Sequence, residues 1–125
     1  MILASRLALT TALFWFIAAN LVGLLLGLGV LPYNWRPAHA HMQLLGFVAL
    51  MIYGVAYHAL PRFRGVVFRR PGLALFQVGL ANLGLLGMVL AWGLGLGTGI
   101  WGAFAALSLA AGLLFTLLAL EILWG

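Results

Sequence analysis

Four long apolar runs, parted only by short stretches of proline, glycine, asparagine and arginine, constrain this chain more than any other feature. They occupy about residues 7–31, 39–60, 72–94 and 99–124, each long enough to supply the ~20 residues with which a helix crosses ~30 Å of hydrocarbon. Lipid offers backbone N–H and C=O groups no partner, so only helices and closed barrels span it, and runs of this length predict helices. The expected fold is an all-α membrane protein, an antiparallel four-helix transmembrane bundle whose short loops join sequential neighbours.

Composition supports the bilayer as partner, since 66% of the residues are hydrophobic and 6% charged, against roughly a quarter charged in a soluble domain. The absence of cysteine excludes disulfides, thiolate metal sites and covalent C-x-x-C-H haem attachment. A net charge of +5 arises from six arginines against Glu121, and the arginines sit between spans, where they act as topology signals and not as a nucleic-acid surface. Arg6, Arg62, Arg64, Arg69 and Arg70 fall on one side and Arg36 alone on the other, which predicts both termini in the cytoplasm of a bacterial or archaeal cell membrane.

The first run is too long for the apolar region of a cleaved signal peptide. Within it Asn20 is expected to face another helix, with Gly23 and Gly27 allowing close approach. Pro37 suits the first turn of the second helix, where its missing N–H has no partner to lose, and Pro61 is expected to close that helix. Tyr33, Trp35, Trp92, Trp101 and Trp124 fall at expected interfaces; Trp15 does not.

The second run holds the chemistry, because His39, His41 and His58 are the only histidines and all flank it. At ~100° per residue His39 and His41 point to nearly opposite faces, and His58 lies roughly 25 Å further along the axis. Neutral imidazole ligates iron, copper or zinc, and an apolar bundle naturally accommodates haem. The plain alternative for each histidine is an interfacial ring among the headgroups. Gln43 can orient the His41 ring or bond across to another helix, and Arg36 can pair a haem propionate or a lipid phosphate. Met88 is expected at the depth of His41, which makes it the one plausible methionine ligand. Glu121 reads as a helix-end carboxylate, with proton handling as the alternative.

The stretch Arg36-Pro37-Ala38-His39-Ala40-His41-Met42-Gln43-Leu44-Leu45, followed by Phe47, Gly54, Tyr57 and Leu60-Pro61-Arg62, resembles the second transmembrane helix of the haem–copper oxidase catalytic subunit in its C-type oxidase and nitric oxide reductase branches. That helix opens with an R-x-x-H-x-N-like element and closes with a G-x-x-Y-Y-x-x-P-like one. The resemblance implies a histidine axial ligand to a low-spin haem b on the outer side. Matching H-x-N selects His41, the preferred assignment because it lies deeper in the span, whereas the arginine spacing selects His39. The family's copper ligands and high-spin haem ligand come from other helices, so only the low-spin site has counterparts in this chain.

The expected function is therefore that of a membrane-embedded haem b-binding protein, a small b-type cytochrome for electron transfer or for haem sensing and delivery. Its cofactor site comprises His41, His39, Arg36 and Gln43, with His41 as iron ligand and His39 as second candidate. The alternative is a copper- or zinc-binding or transport module, or an accessory subunit of a respiratory oxidase. No nucleophile–base pair or carboxylate dyad can be assembled, which argues against an enzyme. A six-coordinate iron needs two axial groups, and a homodimer that contributes one His41 from each chain meets that need by symmetry. Glycines 46, 54, 84 and 87 are expected either to admit the macrocycle or to let helices come close.

Overall fold

The computed structural model describes all 125 residues. It contains four helices long and apolar enough to cross a membrane and no strand: α1 (Leu3–Gly27), α2 (Trp35–Arg64), α3 (Pro71–Gly93) and α4 (Thr98–Trp124). The shortest, α3 with 23 residues, is about 35 Å long at ~1.5 Å per residue. The chain is on these grounds an integral membrane protein, its apolar helices suited to lipid contact.

Local chemistry sets the helix ends. α1, α2 and α3 each stop at a glycine in the left-handed region, Gly29 (φ 72°), Gly65 (φ 64°) and Gly95 (φ 65°). At each stop two backbone hydrogen bonds close a Schellman motif: Val30 to Leu25 and Gly29 to Leu26, Val66 to Pro61 and Gly65 to Arg62, Leu96 to Ala91 and Gly95 to Trp92. The first helix thus begins and ends four residues before the apolar run does, leaving Leu28–Leu31 in the turn. Pro61 does not close α2. It lies inside the helix, which continues to Arg64 because the first backbone able to reverse is that of Gly65.

α2 also changes its winding. Met42–Ala49 forms eight residues of π-helix between two α-helical segments. Wider turns carry more residues each, so faces on either side of this segment are rotated relative to an ideal α-helix.

α2 and α3 occupy the middle of the molecule. α1 packs on both, α4 packs on α3 and on the Leu50–Arg64 half of α2, and α1 and α4 do not touch. α3 is the most buried span and α4 the least. α1 turns Ala4, Ala8, Ala12, Trp15 and Ala19 inward, a row of mainly small side chains that lets its neighbours come near. The four glycines serve the same end: an added Cβ would run into Trp15 and Leu85 at Gly46, Leu9 at Gly54, Ser108 at Gly84 and Phe104 at Gly87. They are spent on helix packing and leave no space for a macrocycle. Of the α1 pair, Gly23 meets the His39 ring while Gly27 stands open. Asn20 is exposed and donates back to the Phe16 carbonyl at 2.8 Å, so it faces away from the other helices.

Several polar groups between the helices are tied together, while buried Ser5 Oγ has no partner. Tyr57 donates to Gln77 Oε1 at 3.0 Å, and Gln77, wholly buried, donates to the Ala111 carbonyl at 3.1 Å, joining α2, α3 and α4. Trp15 donates to Asn82 Oδ1 at 3.0 Å, and Asn82 donates to Thr11 Oγ1 at 3.2 Å, joining α1 to α3. Trp15 is therefore a core tryptophan whose N–H has a partner, which explains why it stands away from the interfaces.

Candidate functional site

The first half of α2, Trp35–Ala49, packs against α1 and α3 but does not reach α4. The gap is a cleft of about 580 Å³, walled by His41, Leu45 and Tyr53 of α2, Met88 of α3, and a face of α4 that includes Trp101, Ser108, Gly112 and Phe115. Ligand sites commonly span ~300–1,000 Å³, with mostly apolar walls and a few convergent polar groups. This cleft fits that description.

His41 is held in place from two sides. Its ring stacks on Trp92 of α3 with centroids 4.5 Å apart, and Nδ1 lies 2.9 Å from the Pro37 carbonyl one turn earlier. A carbonyl oxygen can only accept, so Nδ1 donates, and in the neutral ring the lone pair then resides on Nε2. Metal-ligating histidines characteristically bind a carbonyl or carboxylate through their other ring nitrogen in this manner. The group that orients the ring is thus Pro37, and no hydrogen bond joins His41 to Gln43, which is half-buried outside the cleft wall.

The other expected site residues lie elsewhere. His39 donates from Nδ1 to the Ala19 carbonyl at 2.8 Å and its ring covers Gly23, so it fastens α2 to α1 on the side away from the cleft. Arg36 is exposed, with its guanidinium 4.6 Å from the Tyr33 ring centroid and Nη1 donating to the Tyr33 hydroxyl at 3.2 Å. His58 lies within a turn of Arg62, outside the cleft. Glu121 pairs with Arg70 at 2.9 Å, which ties the end of α4 to the start of α3. No three histidine, aspartate or glutamate side chains come together as a metal-binding group.

Met88 is 2% exposed and shares the cleft wall with His41. Trp101 and Ser108 are not marked as site residues by the sequence, yet both line the cleft, and Trp101 Nε1 and Ser108 Oγ are buried without a hydrogen-bond partner. Trp101 continues the aromatic stack, 5.3 Å from Trp92, and also borders a second cavity of about 510 Å³ formed with Asn34, Thr98 and the glycine-rich turn. A hydroxyl in an apolar span, a feature Ser108 shares with Thr116, is the one signal the sequence holds for it. For Trp101 it holds none, since a tryptophan near a span end is ordinary.

No family model matches the chain, and neither does any curated protein or solved structure.

Proposed function

We propose that this protein is a membrane-embedded haem b-binding protein, a small b-type cytochrome related to the second helix of the haem–copper oxidase catalytic subunit, with His41 as an axial ligand. The observation that carries the reading is the His41 ring itself, with Nδ1 committed to the Pro37 carbonyl and Nε2 left with its lone pair on the wall of a cofactor-sized cleft. The residues suit the group. The walls are largely apolar like a macrocycle, the buried Met88 thioether offers a second axial atom, and the unpartnered Trp101 N–H at the outer end of α4 would meet a carboxylate. Bound haem would supply one-electron chemistry between ferric and ferrous iron. His41 would donate to the iron, Trp92 would fix the plane of the imidazole, and the apolar α3 wall would exclude water. Arg36, in the first turn of α2 and exposed, would be available to pair a haem carboxylate.

The bundle is read as antiparallel, with both termini and the arginine-rich loop in the cytoplasm and His41 towards the outer face. A homodimer offers a second route to six-coordination, through His41 of the partner subunit. A copper or zinc module is disfavoured because the three histidines are held on separate faces and no acid joins them.

The test is the optical spectrum of purified protein with haem quantified per chain. A Soret band with sharp reduced α and β peaks is expected, lost in His41→Ala and kept in His39→Ala and His58→Ala. One haem per chain with a spectrum altered in Met88→Leu assigns Met88, whereas one haem per two chains assigns the dimer. A haem-free preparation, or a spectrum unchanged in His41→Ala, overturns the reading.

A further inference from the structure

We propose that the lipid-facing side of α1 is the docking surface for a second copy of this chain, with Asn20 as its polar centre. Thr10, Leu13, Ile17, Asn20, Leu24 and Gly27 recur at alternating intervals of three and four, the spacing of a coiled-coil seam, and every one of them is exposed. At ~100° per residue this seam lies nearly opposite the row of Ala4, Ala8, Ala12, Trp15 and Ala19 that faces the other helices. Gly27 at its end has open space where a side chain would stand. α1 contributes no residue to the cleft, so this surface is distinct from the one at His41.

An exposed apolar helix face is ordinarily covered by acyl chains, and Asn20 sets this one apart. It stands about 21 Å beyond Arg6 and about 10 Å before Gly27 at ~1.5 Å per residue, within the hydrocarbon. The atom 2.8 Å from the Phe16 carbonyl is the amide nitrogen, because a carbonyl only accepts. That bond uses one N–H and leaves the other N–H and Oδ1 without a partner. Thr10 on the same seam has spent its one hydroxyl proton on the Arg6 carbonyl, and Gln77 and Asn82 use both ends of their amides inside the bundle. Gln43 accompanies Asn20: it makes no hydrogen bond and lies between the same two contacts of α1 with α2, Phe16 against Phe47 and Gly23 against His39.

Acyl chains offer an amide neither donor nor acceptor, and an unsatisfied polar group in hydrocarbon costs free energy that a protein partner recovers. A second copy is the partner the amide selects. Copies inserted in the same orientation are related by a two-fold axis along the membrane normal, so each Asn20 meets its counterpart at equal depth, and an amide with one free donor and one free acceptor is its own complement. Two reciprocal hydrogen bonds then close across the axis, in the way a single buried asparagine fixes register in a coiled coil. A dimer through α1 leaves each cleft unshared and does not depend on haem.

The full chain, labelled with donor or acceptor dye at its N-terminal amine, is reconstituted in phosphatidylcholine vesicles, and association is read as Förster transfer against protein-to-lipid ratio; no lysine competes for the label. Saturable dimerisation is expected, weakened about 5- to 30-fold in Asn20→Leu, as loss of two interhelical hydrogen bonds implies, and largely kept in Asn20→Gln. Asn20 bonds to no other helix of its chain, so the Leu variant should fold as the wild type does. Because the chain has no cysteine, single replacements report the face in contact. Oxidation should link Ile17→Cys and Leu24→Cys into dimers and leave Leu109→Cys and Leu117→Cys, exposed on α4, unlinked. A monomer at every ratio, an Asn20→Leu dimer of wild-type strength, or cross-linking through α4 alone overturns the proposal. Loss of the dimer in His41→Ala does so too, since it moves the contact to the cleft.

Discussion

At the end bearing Arg62, Arg64 and Arg70, α2 reaches α4 and the interior is shut, while at the other end the same two helices part and leave a cleft. The polar groups differ in step with this change of contact, except at Ser5, which lies beside Gly54 in the shut half and whose buried Oγ has no partner. In the shut half Gln77 uses both ends of its amide, Tyr57 has an acceptor, and Arg70 holds Glu121. In the open half Trp101 and Ser108 keep buried donors without partners. Interhelical hydrogen bonds in a membrane are individually modest, ~0.6 kcal/mol on average, so the shut half owes its closure to many small contributions added to close packing. Donors left unsatisfied in the other half contribute nothing to holding helices together.

The largest effect should come from overfilling the α3–α4 contact. Gly87→Leu drives a side chain into Phe104, and by the ordinary penalty for overpacking it should destabilise the protein by about 3 kcal/mol, read from unfolding in mixed detergent micelles. An unchanged midpoint would show that α4 is loosely held along its whole length. Next, Gln77→Leu removes the bond to Ala111 and strands the Tyr57 hydroxyl, for a loss of roughly 1–2 kcal/mol. A double-mutant cycle with Tyr57→Phe should return a coupling near ~0.6 kcal/mol, and zero coupling would dissolve the distinction between the two halves. Breaking the exposed pair with Arg70→Ala should cost about 0.5 kcal/mol or less and vanish in high salt. Ser108→Ala should leave unfolding unmoved, within about 0.5 kcal/mol, because no hydrogen bond is lost. A cost comparable to that of Gln77→Leu would mean that Ser108 has a partner in the folded protein and that the halves are alike.

The candidate site was partly legible. His41 is singled out by its depth in an apolar run, and Met88 by its matching depth on the third helix, and these two do share a wall. The partner of the His41 ring was not legible as Pro37, because a bond to the carbonyl one turn back depends on a rotamer, and Gln43 offered an equally good donor on paper. Asn20 was misplaced for a related reason. A polar side chain in lipid needs a partner, and its own helix supplies one in the Phe16 carbonyl as readily as a neighbour would. Trp15 and Asn82 satisfy each other across sixty-seven positions of chain, a pairing no local pattern encodes.

Local and compositional properties were determined by the sequence alone. The number of spans follows from the length of uncharged apolar runs, and three of the helix ends follow from glycines that can take positive φ where the chain must turn. Such features depend on a residue and its immediate neighbours, so they survive without knowledge of the fold. Which face each helix turns inward was decided only in three dimensions. The π-helical segment Met42–Ala49 resets the angular relation between His41 and Tyr53, and glycine contacts at positions 46, 54, 84 and 87 set how near the neighbours come. Where α2 and α4 diverge depends on all of these at once. That divergence, an outcome of contacts summed over four helices, puts His41, Met88, Trp101 and Ser108 around one space.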